Sequence, residues 1–359
     1  MRHTYHLGVL AGDGIGPEIV PAAVEVADAA IVATGADPID WVPLPLGRLA
    51  IDEFGTPLPD VTLKTLAGLD GWLLGPHDSA TYPEPHRSQL NPSGTIRKHF
   101  DLFANIRPAK AFPGAPAIVE HTDLVIVREN TQGFYADRNT YTGSGEFMPT
   151  PDVAIAHAII TRPAVERIAH AAFQLATRRR NKVTIVHKAN VLRLTTGLFR
   201  DVCHEIAGQY HQVAVDDYHI DAMTVHLLRR AHEFDVIVTE NMFGDILSDL
   251  TAGIAGSPGI APAINTSADH GMAQAVHGSA PDIAGQDIAN PAAMILSAAM
   301  LLDWLAARRG DPRPRRAAEL VETAVADTIR AGTTTPDLGG TAGTRAFTGA
   351  VIQAIRARC

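Results

Sequence analysis

Short apolar, β-branched runs alternate along this chain with longer segments whose apolar positions recur at helical spacing. Strand-like runs lie at residues 6–10, 40–44, 71–75, 124–130, 182–188 and 234–240. Helical spacing covers residues 17–34, 60–67, 163–179, 196–209 and 219–230, and again 291–307 and 315–331, with a last helix at the C-terminal end. Pro17 suits the first turn of its helix, where the N–H it lacks would have no partner anyway. Strands alternating with helices predict an α/β fold with a largely parallel sheet. Residues 76–94 and 253–285 are rich in Gly, Pro and Ser and read as loops. Residues 136–150 (ADRNTYTGSGEFMPT) are polar and Gly-rich, and read as an excursion from the compact body, a hairpin arm.

At 359 residues the chain exceeds one ordinary core, so two domains are expected. Its 46% hydrophobic and 19% charged residues are ordinary for a soluble globular protein. The opening MRHTYHLGVLAGDGIG has an apolar run too short for a secretory signal, and no stretch reaches membrane-spanning length, so no membrane partner is expected. Cys203 and Cys359 cannot form a disulfide framework, which points to the cytoplasm. A net charge of −9 argues against nucleic acid as a partner.

Candidate chemistry centres on NMFGDILSDL (241–250). Asn241 and Gly244 fit a helix start, and Asp245 and Asp249, four apart, would share one helix face. Placed just after a strand, such a pair offers hard oxygen ligands to Mg²⁺ or Mn²⁺; the same spacing also fits two solvated acids on a helix surface. Gly12-Asp13-Gly14-Ile15-Gly16 joins a strand to a helix, but its GxGxG spacing differs from the dinucleotide fingerprint and equally suits a tight turn.

Arg97, Arg107 and Arg128 stand near element ends, where a guanidinium fork suits a carboxylate-bearing small molecule, or else a surface ion pair. Tyr135 and Lys188 are candidate proton-transfer groups, each equally readable as a packed amphipathic side chain. The loop from His277 to Gly285 (HGSAPDIAG) carries a carboxylate that could accept both hydroxyls of an adenosine ribose, or simply an Asx-type turn.

Taken together these stretches resemble the β-decarboxylating dehydrogenases, the family of isopropylmalate, isocitrate, homoisocitrate and tartrate dehydrogenases. The likeness runs from GDGIGPE at 12–18 through IRKHFDLFANIRP, VRENTQGFY, HKANVL, NMFGDILSD and HGSAPDIAG…IANP to TPDLGG at 335–340. The resemblance implies an isopropylmalate dehydrogenase-like two-domain α/β fold that is not a Rossmann fold. Residues 1–100 and 255–359 would form the large, cofactor-binding domain. Residues 101–254 would form the small dimerisation domain, with the arm near 136–150 as a clasp hairpin at the interface of a homodimer with shared active sites.

Carried over residue by residue, Arg97, Arg107 and Arg128 would clamp the carboxylates of a substituted malate. Asp245 and Asp249, with Asp221 of the other subunit, would hold Mg²⁺ or Mn²⁺. Lys188, also from the other subunit, would help remove the hydroxyl proton, and Tyr135 would protonate the enol at C3. His277, Gly278, Ser279, Ala280, Asp282, Ile283 and Asn290 would bind NAD, with Asp282-Ile283 where NADP-dependent relatives carry Lys-Tyr.

The chain also departs from its relatives. Gln274 replaces a frequent Glu in the FEPVHG stretch, here AQAVHG. Isopropylmalate enzymes usually place leucines at positions 93 and 94, isocitrate enzymes Ser and Asn at 91 and 93, and homoisocitrate enzymes can carry an Arg at 94. Asn91-Pro92-Ser93-Gly94 matches none of these. A missing apolar wall is worth only about 1–3 kcal/mol, so a 3-isopropylmalate-type substrate remains the first expectation. Homoisocitrate, isocitrate, tartrate and malate are the alternatives; for a tricarboxylate, Asn91 and Ser93 would bind the C3 substituent and Arg87 would reach the distal carboxylate. A non-catalytic regulatory relative or a nucleotide-binding module would leave the metal and proton-transfer groups without a purpose.

Overall fold

The computed structural model describes residues 4–135, 140 and 142–358. In chain order the first segment forms β1 (Tyr5–Leu10), α1 (Gly16–Thr34), β2 (Ile39–Pro43), α2 (Arg48–Phe54), α3 (Asp60–Leu66), β3 (Gly71–Leu74) and α4 (Pro92–His99). The middle forms β4 (Ala104–Lys110), β5 (Asp123–Glu129), β6 (Glu146–Thr150), β7 (Val153–Ala156), α5 (Arg162–Ala176), β8 (Lys182–His187) and α6 (Thr195–Ala207). It continues with β9 (Ala214–His219), α7 (Ile220–Arg230), β10 (Val236–Thr239) and α8 (Asn241–Ala255). The last segment holds β11 (Ile264–Thr266), β12 (Gly271–Ala273), α9 (Ala292–Arg309), α10 (Pro312–Arg330) and α11 (Thr344–Arg356).

The chain divides into two compact units. The first comprises residues 1–96, 112–117 and 256–359, and the second 97–111 and 118–255, so a boundary falls inside α4. In the first unit the strands run β2-β1-β3-β12-β11. They are parallel except for the antiparallel pair β11–β12. β3, GWLL, is buried at every position, as expected of a central parallel strand covered on both faces. α1 packs against α9, α10 and α11. It buries Ile19, Ala23, Val26, Ala30 and neighbours, spaced three and four apart, along one stripe.

In the second unit the order is β4-β5-β10-β8-β9, parallel but for β4 against β5. One face is covered by α5 and α6 over a cluster that includes Val165, Phe173, Phe199 and Val238. A second cluster joins Met223 and Leu227 of α7 to Leu247 and Ile254 of α8 over Ile126 and Ile237.

Several stretches differ from the sequence reading, among them α2, which it did not include. Residues 253–285 are not all loop: α8 extends to Ala255 and two buried three-residue strands follow. Three residues are too few for a period-2 pattern to show, and β12 (Gly-Met-Ala) also lacks the branched and aromatic side chains that usually mark a strand. Within 76–94, α4 already begins at Pro92, and the Asn91 side chain accepts from the Gly94 N–H at 2.7 Å as an N-cap would. β4 escaped notice because its alternation buries polar residues, Asn105 and Arg107. Of the 136–150 excursion, residues 136–139 and 141 lie outside the described residues, as does Cys359. The excursion ends in β6, which pairs antiparallel with β7 just beyond it, and the residues of both strands are all exposed in the single chain. Among the described residues, no helix is long and apolar enough to cross a membrane.

Candidate active site

β10 passes into α8 through a single residue, Glu240, whose carboxylate accepts from the N–H groups of Met242 and Phe243 at 3.1 and 2.9 Å. This caps a helix that starts with no turn to spare. The parallel neighbour β5 ends at Arg128 and Glu129, level with Thr239. α8 crosses the Arg128 stem so closely that a Cβ at Gly244 would stand 2.6 Å from Arg128 Cγ. Glycine is required there by the approach itself.

Arg128, Arg107 and Tyr135 converge on Asp245. Arg128 Nη1 donates to Asp245 Oδ1 at 2.5 Å, and Arg107 Nη1 to the same oxygen at 3.3 Å. The Tyr135 hydroxyl donates to Oδ2 at 2.6 Å. Asp249, one helical turn on and largely exposed, lies 3.7 Å from Arg107 Nη1. Arg107 is oriented by Asn105 Oδ1 and by the Ser248 hydroxyl, at 2.5 and 2.7 Å.

Burial would raise the Asp245 carboxyl, but Arg128 and then Arg107 outweigh it and hold it below the ordinary range. Asp249 is shifted the other way: burial raises it, and the charge on Asp245 adds to this against Arg107. Burial and the neighbouring Arg128 pull the Arg107 guanidinium down to about 10. Arg97, in the last turn of α4, is close enough to Asp245 to help lower it.

Lys188 and Asp221 lie elsewhere in the same unit and pair with each other, Nζ to Oδ1 at 2.7 Å, which lowers the Asp221 carboxyl. Behind them Asp217 binds two imidazoles, His187 at 2.9 Å and His204 at 3.0 Å. Among the described residues of one chain, no third His, Cys, Asp or Glu completes a metal-binding group with Asp245 and Asp249.

The first unit carries the loop from His277 to Asn290. Burial pulls the His277 imidazole below its ordinary value, against its hydrogen bond to the Gly278 carbonyl. Nδ1 donates that bond at 3.0 Å, which leaves Nε2 a buried acceptor with no partner among the described residues. Asp282 is exposed and Ile283 half-buried, while Gly278 is exposed and Ser279 buried. Ala280 has a left-handed backbone, φ 39°. Asn290 is committed within the fold: its amide donates to Asp337 at 3.1 Å and its carbonyl oxygen accepts from Ala292 N–H at 3.0 Å.

The residues expected to set selectivity are also engaged. Asn91 caps α4 through its side-chain oxygen, and the buried Ser93 hydroxyl donates to Gln274 Oε1 at 2.9 Å. Arg87 is exposed and ion-paired with Glu84.

Several structuring residues escaped the sequence reading. Asn105 and Arg107 share a strand face at i, i+2, and Ser248 stands at i+3 from Asp245, so periodicity held a signal for both. Asn241, read only as a helix start, accepts from Arg128 Nε and donates to the Gln132 carbonyl, both at 2.9 Å. Asp337, within TPDLGG, gathers Ser257, Asn290 and Thr335, and nothing in its local sequence announces this.

The family model for isocitrate/isopropylmalate dehydrogenase matches residues 6–355. An isocitrate/homoisocitrate dehydrogenase of Thermus thermophilus is 43% identical over 353 residues, covering 98% of this chain and 99% of that protein. A 3-isopropylmalate/3-methylmalate dehydrogenase of Methanocaldococcus jannaschii is 40% identical over 353 residues, covering 97% and 98%. The crystal structure of isocitrate dehydrogenase from Methylococcus capsulatus superposes with a TM-score of 0.86 at 40% identity, covering 98% of this chain and 99% of that one. With a matching fold and full-length similarity, the chain belongs to the isocitrate/isopropylmalate dehydrogenase family and is an oxidative decarboxylating dehydrogenase.

Proposed function

We propose that this enzyme oxidatively decarboxylates a 3-substituted (2R)-malate to a 2-oxo acid, with NAD⁺ as acceptor and Mg²⁺ or Mn²⁺ as the metal. The observation that carries this reading is the convergence of Arg107, Arg128 and Tyr135 on the Asp245 carboxylate, with Asp249 one turn away. Guanidiniums suit the substrate carboxylates. The all-oxygen, carboxylate donor set of Asp245 and Asp249 fits a hard divalent cation. When bound, that cation supplies Lewis acidity for the developing negative charge on the C2 oxygen.

Each proton step has a candidate residue. Lys188 Nζ takes the C2 hydroxyl proton as a hydride leaves C2. Loss of the β-carboxylate as CO₂ then leaves an enolate, which Tyr135 Oη protonates at C3 to give the 2-oxo acid. Asp221 completes the metal set from the other subunit of a homodimer, which agrees with the absence of a third ligand among the described residues of one chain. A dimer also accounts for exposed apolar side chains on β6–β7 (Phe147, Met148, Val153, Ile155), on α7 (Val225, Leu228) and on α8 (Ile246).

Asp282 favours NAD over NADP, since an exposed carboxylate accepts ribose hydroxyls and repels a 2′-phosphate. The buried, unprotonated Nε2 of His277 suits a donor such as an adenine amine. Buried Cys203, its thiol pushed up by burial, fits a reducing cytoplasm.

For the C3 substituent the reading favours a small apolar group of the isopropyl type. The Asn91 side-chain oxygen and the Ser93 hydroxyl are engaged within the protein, and the Leu90 side chain crowds the Gly94 position, 2.7 Å from where a Cβ would stand. Leu90 thus offers the apolar surface that leucines at 93 and 94 would offer elsewhere. The 43% identity to an isocitrate/homoisocitrate dehydrogenase favours a tricarboxylate as the second reading.

Initial rates of NADH formation with Mn²⁺ on 3-isopropylmalate, isocitrate, homoisocitrate, tartrate and malate decide between them. The highest kcat/KM is expected on 3-isopropylmalate. A tricarboxylate preference would replace the substituent assignment, and silence on the whole panel would end the proposal.

A further inference from the structure

The GDGIGPE turn (residues 12–18) has no part in the chemistry above, and several of its backbone N–H groups are already spent within the fold. A phosphate loop needs backbone N–H groups free to point at the anion. Here the N–H of Asp13 donates to the Pro76 carbonyl at 2.8 Å, that of Ile15 to Ser279 at 2.9 Å, and that of Gly16 to Asp13 at 2.9 Å.

The turn instead grips the loop that carries Asp282 and Ile283. Gly14, at φ 57°, lies so close to that loop that a Cβ would stand 2.0 Å from the Ser279 carbonyl oxygen. At the far end of the loop the Glu18 carboxylate accepts from the N–H groups of Gly285 and Asp287, at 2.6 and 3.0 Å. The opposite side of Asp287 is tied to the start of α11. Its carbonyl accepts from Thr344 N–H at 3.0 Å and its carboxylate from Arg345 N–H at 3.1 Å.

These ties act on a loop with an unfavourable backbone. Ala280 and Asp287 both occupy left-handed φ, 39° and 56°, without glycine's freedom. Left-handed φ is unfavourable for both side chains, so the loop keeps this shape only while its surroundings impose it.

We propose that Glu18 is a positioning residue for the nicotinamide cofactor. It touches no cofactor atom. By holding Gly285 and Asp287 it sets where Asp282 and Ile283 stand, and so sets cofactor affinity from behind the loop. This rests on the NAD reading of the 277–290 loop and adds to it the part of the chain that keeps that loop in register.

The test compares Glu18→Ala, Glu18→Asp and Glu18→Gln in the full-length enzyme by fluorescence titration with NADH, without the malate substrate, together with steady-state kinetics. Hydrogen bonds to a charged acceptor are worth about 1.5–3 kcal/mol, so Glu18→Ala is expected to raise the NADH Kd and the KM for NAD⁺ by about tenfold or more. The KM for the malate substrate and the kcat at saturating NAD⁺ should move less than about twofold, by the logic of lost ground-state binding. Glu18→Gln, which keeps the length but has one acceptor oxygen and turns an NH₂ donor toward the second amide, should recover only part of the affinity, and Glu18→Asp, too short to span both amides, should recover less.

A purely structural role would shift both KM values or the melting temperature alike in all three variants, and that would overturn the proposal. So would wild-type NADH affinity in Glu18→Ala. Should Glu18→Ala not fold, the same comparison between Glu18→Asp and Glu18→Gln decides. Wild-type protein that neither binds NADH nor reduces NAD⁺ would sink the cofactor reading itself, which distinguishes that failure from failure of the Glu18 assignment.

Discussion

The Tyr135 hydroxyl donates to Oδ2 of Asp245 at 2.6 Å, so the side chain proposed to deliver a proton touches the carboxylate proposed to hold the cation. The other Asp245 oxygen faces Arg128 and Arg107. In the proposed reaction one carboxylate would therefore touch the proton donor, the cation and the groups that hold substrate charge.

Tyr135→Phe keeps the ring near the Arg128 guanidinium, now 5.7 Å from it, and removes only the hydroxyl. Loss of a positioned general acid predicts a fall in kcat of about 10²–10⁴, with the substrate KM little changed. Steady-state kinetics check this, and a kcat near wild type would remove Tyr135 from the proton path.

Asp245→Asn leaves Arg107 and Arg128 side by side, both buried, without their shared counter-charge. Arg107 is already drawn down by burial and by Arg128, so it tolerates this poorly. Breaking a buried pair predicts a loss of about 3–5 kcal/mol in urea unfolding. Mn²⁺ should stabilise the wild type, by about 2.7 kcal/mol at a hundred times its Kd, and leave the variant unmoved. Equal stabilisation of both by Mn²⁺ would place the cation elsewhere.

Glu129 and Glu240 are buried acids whose carboxyls burial raises above the ordinary value near 4.5, with Glu129 adding to the rise of Glu240. The sign follows from linkage: an acid with a higher folded pKa binds more protons folded than unfolded, so stability falls as pH rises. Stability should therefore be greatest below about pH 4.5 with respect to these two groups alone and decline through their folded values. In Glu240→Gln part of that decline should vanish. Urea midpoints measured across weakly acidic pH in both proteins test it; identical slopes would mean that Glu240 does not titrate differently on folding.

Replacing Phe147 and Ile155 together by aspartate puts charge on the exposed β6–β7 pair. If this hairpin closes the homodimer, sedimentation should show a monomer. Activity should be lost with it, because Lys188 and Asp221 would no longer reach the other subunit's site. An active monomer would refute the shared-site arrangement.

The helices and central strands were legible because their apolar periodicity survives burial. α1, α5, α9 and α10 each start and end within a few residues of where the spacing places them. Elements that carry polar groups inward were not. β4 buries Asn105 and Arg107, β11 and β12 are only three residues long, and β12 carries a Gly and an Ala, so none of them shows an ordinary strand pattern.

By itself the sequence determined the α/β alternation and the placing of Asp245 and Asp249 on one face of a helix, because a helix of 3.6 residues per turn stacks residues four apart. The motifs it carries were also enough to name the family. Only the tertiary structure decided which partners those side chains take. Arg107 meets Asp245 across 138 residues of chain, and Glu18 meets Gly285 across 267. Such pairings have no local period, since they arise where the packing of separate strands and helices brings distant backbone together. For the same reason GDGIGPE, which by spacing alone could pass for a cofactor turn, proves to spend the Ile15 N–H and the Glu18 carboxylate on holding a loop from the far end of the chain.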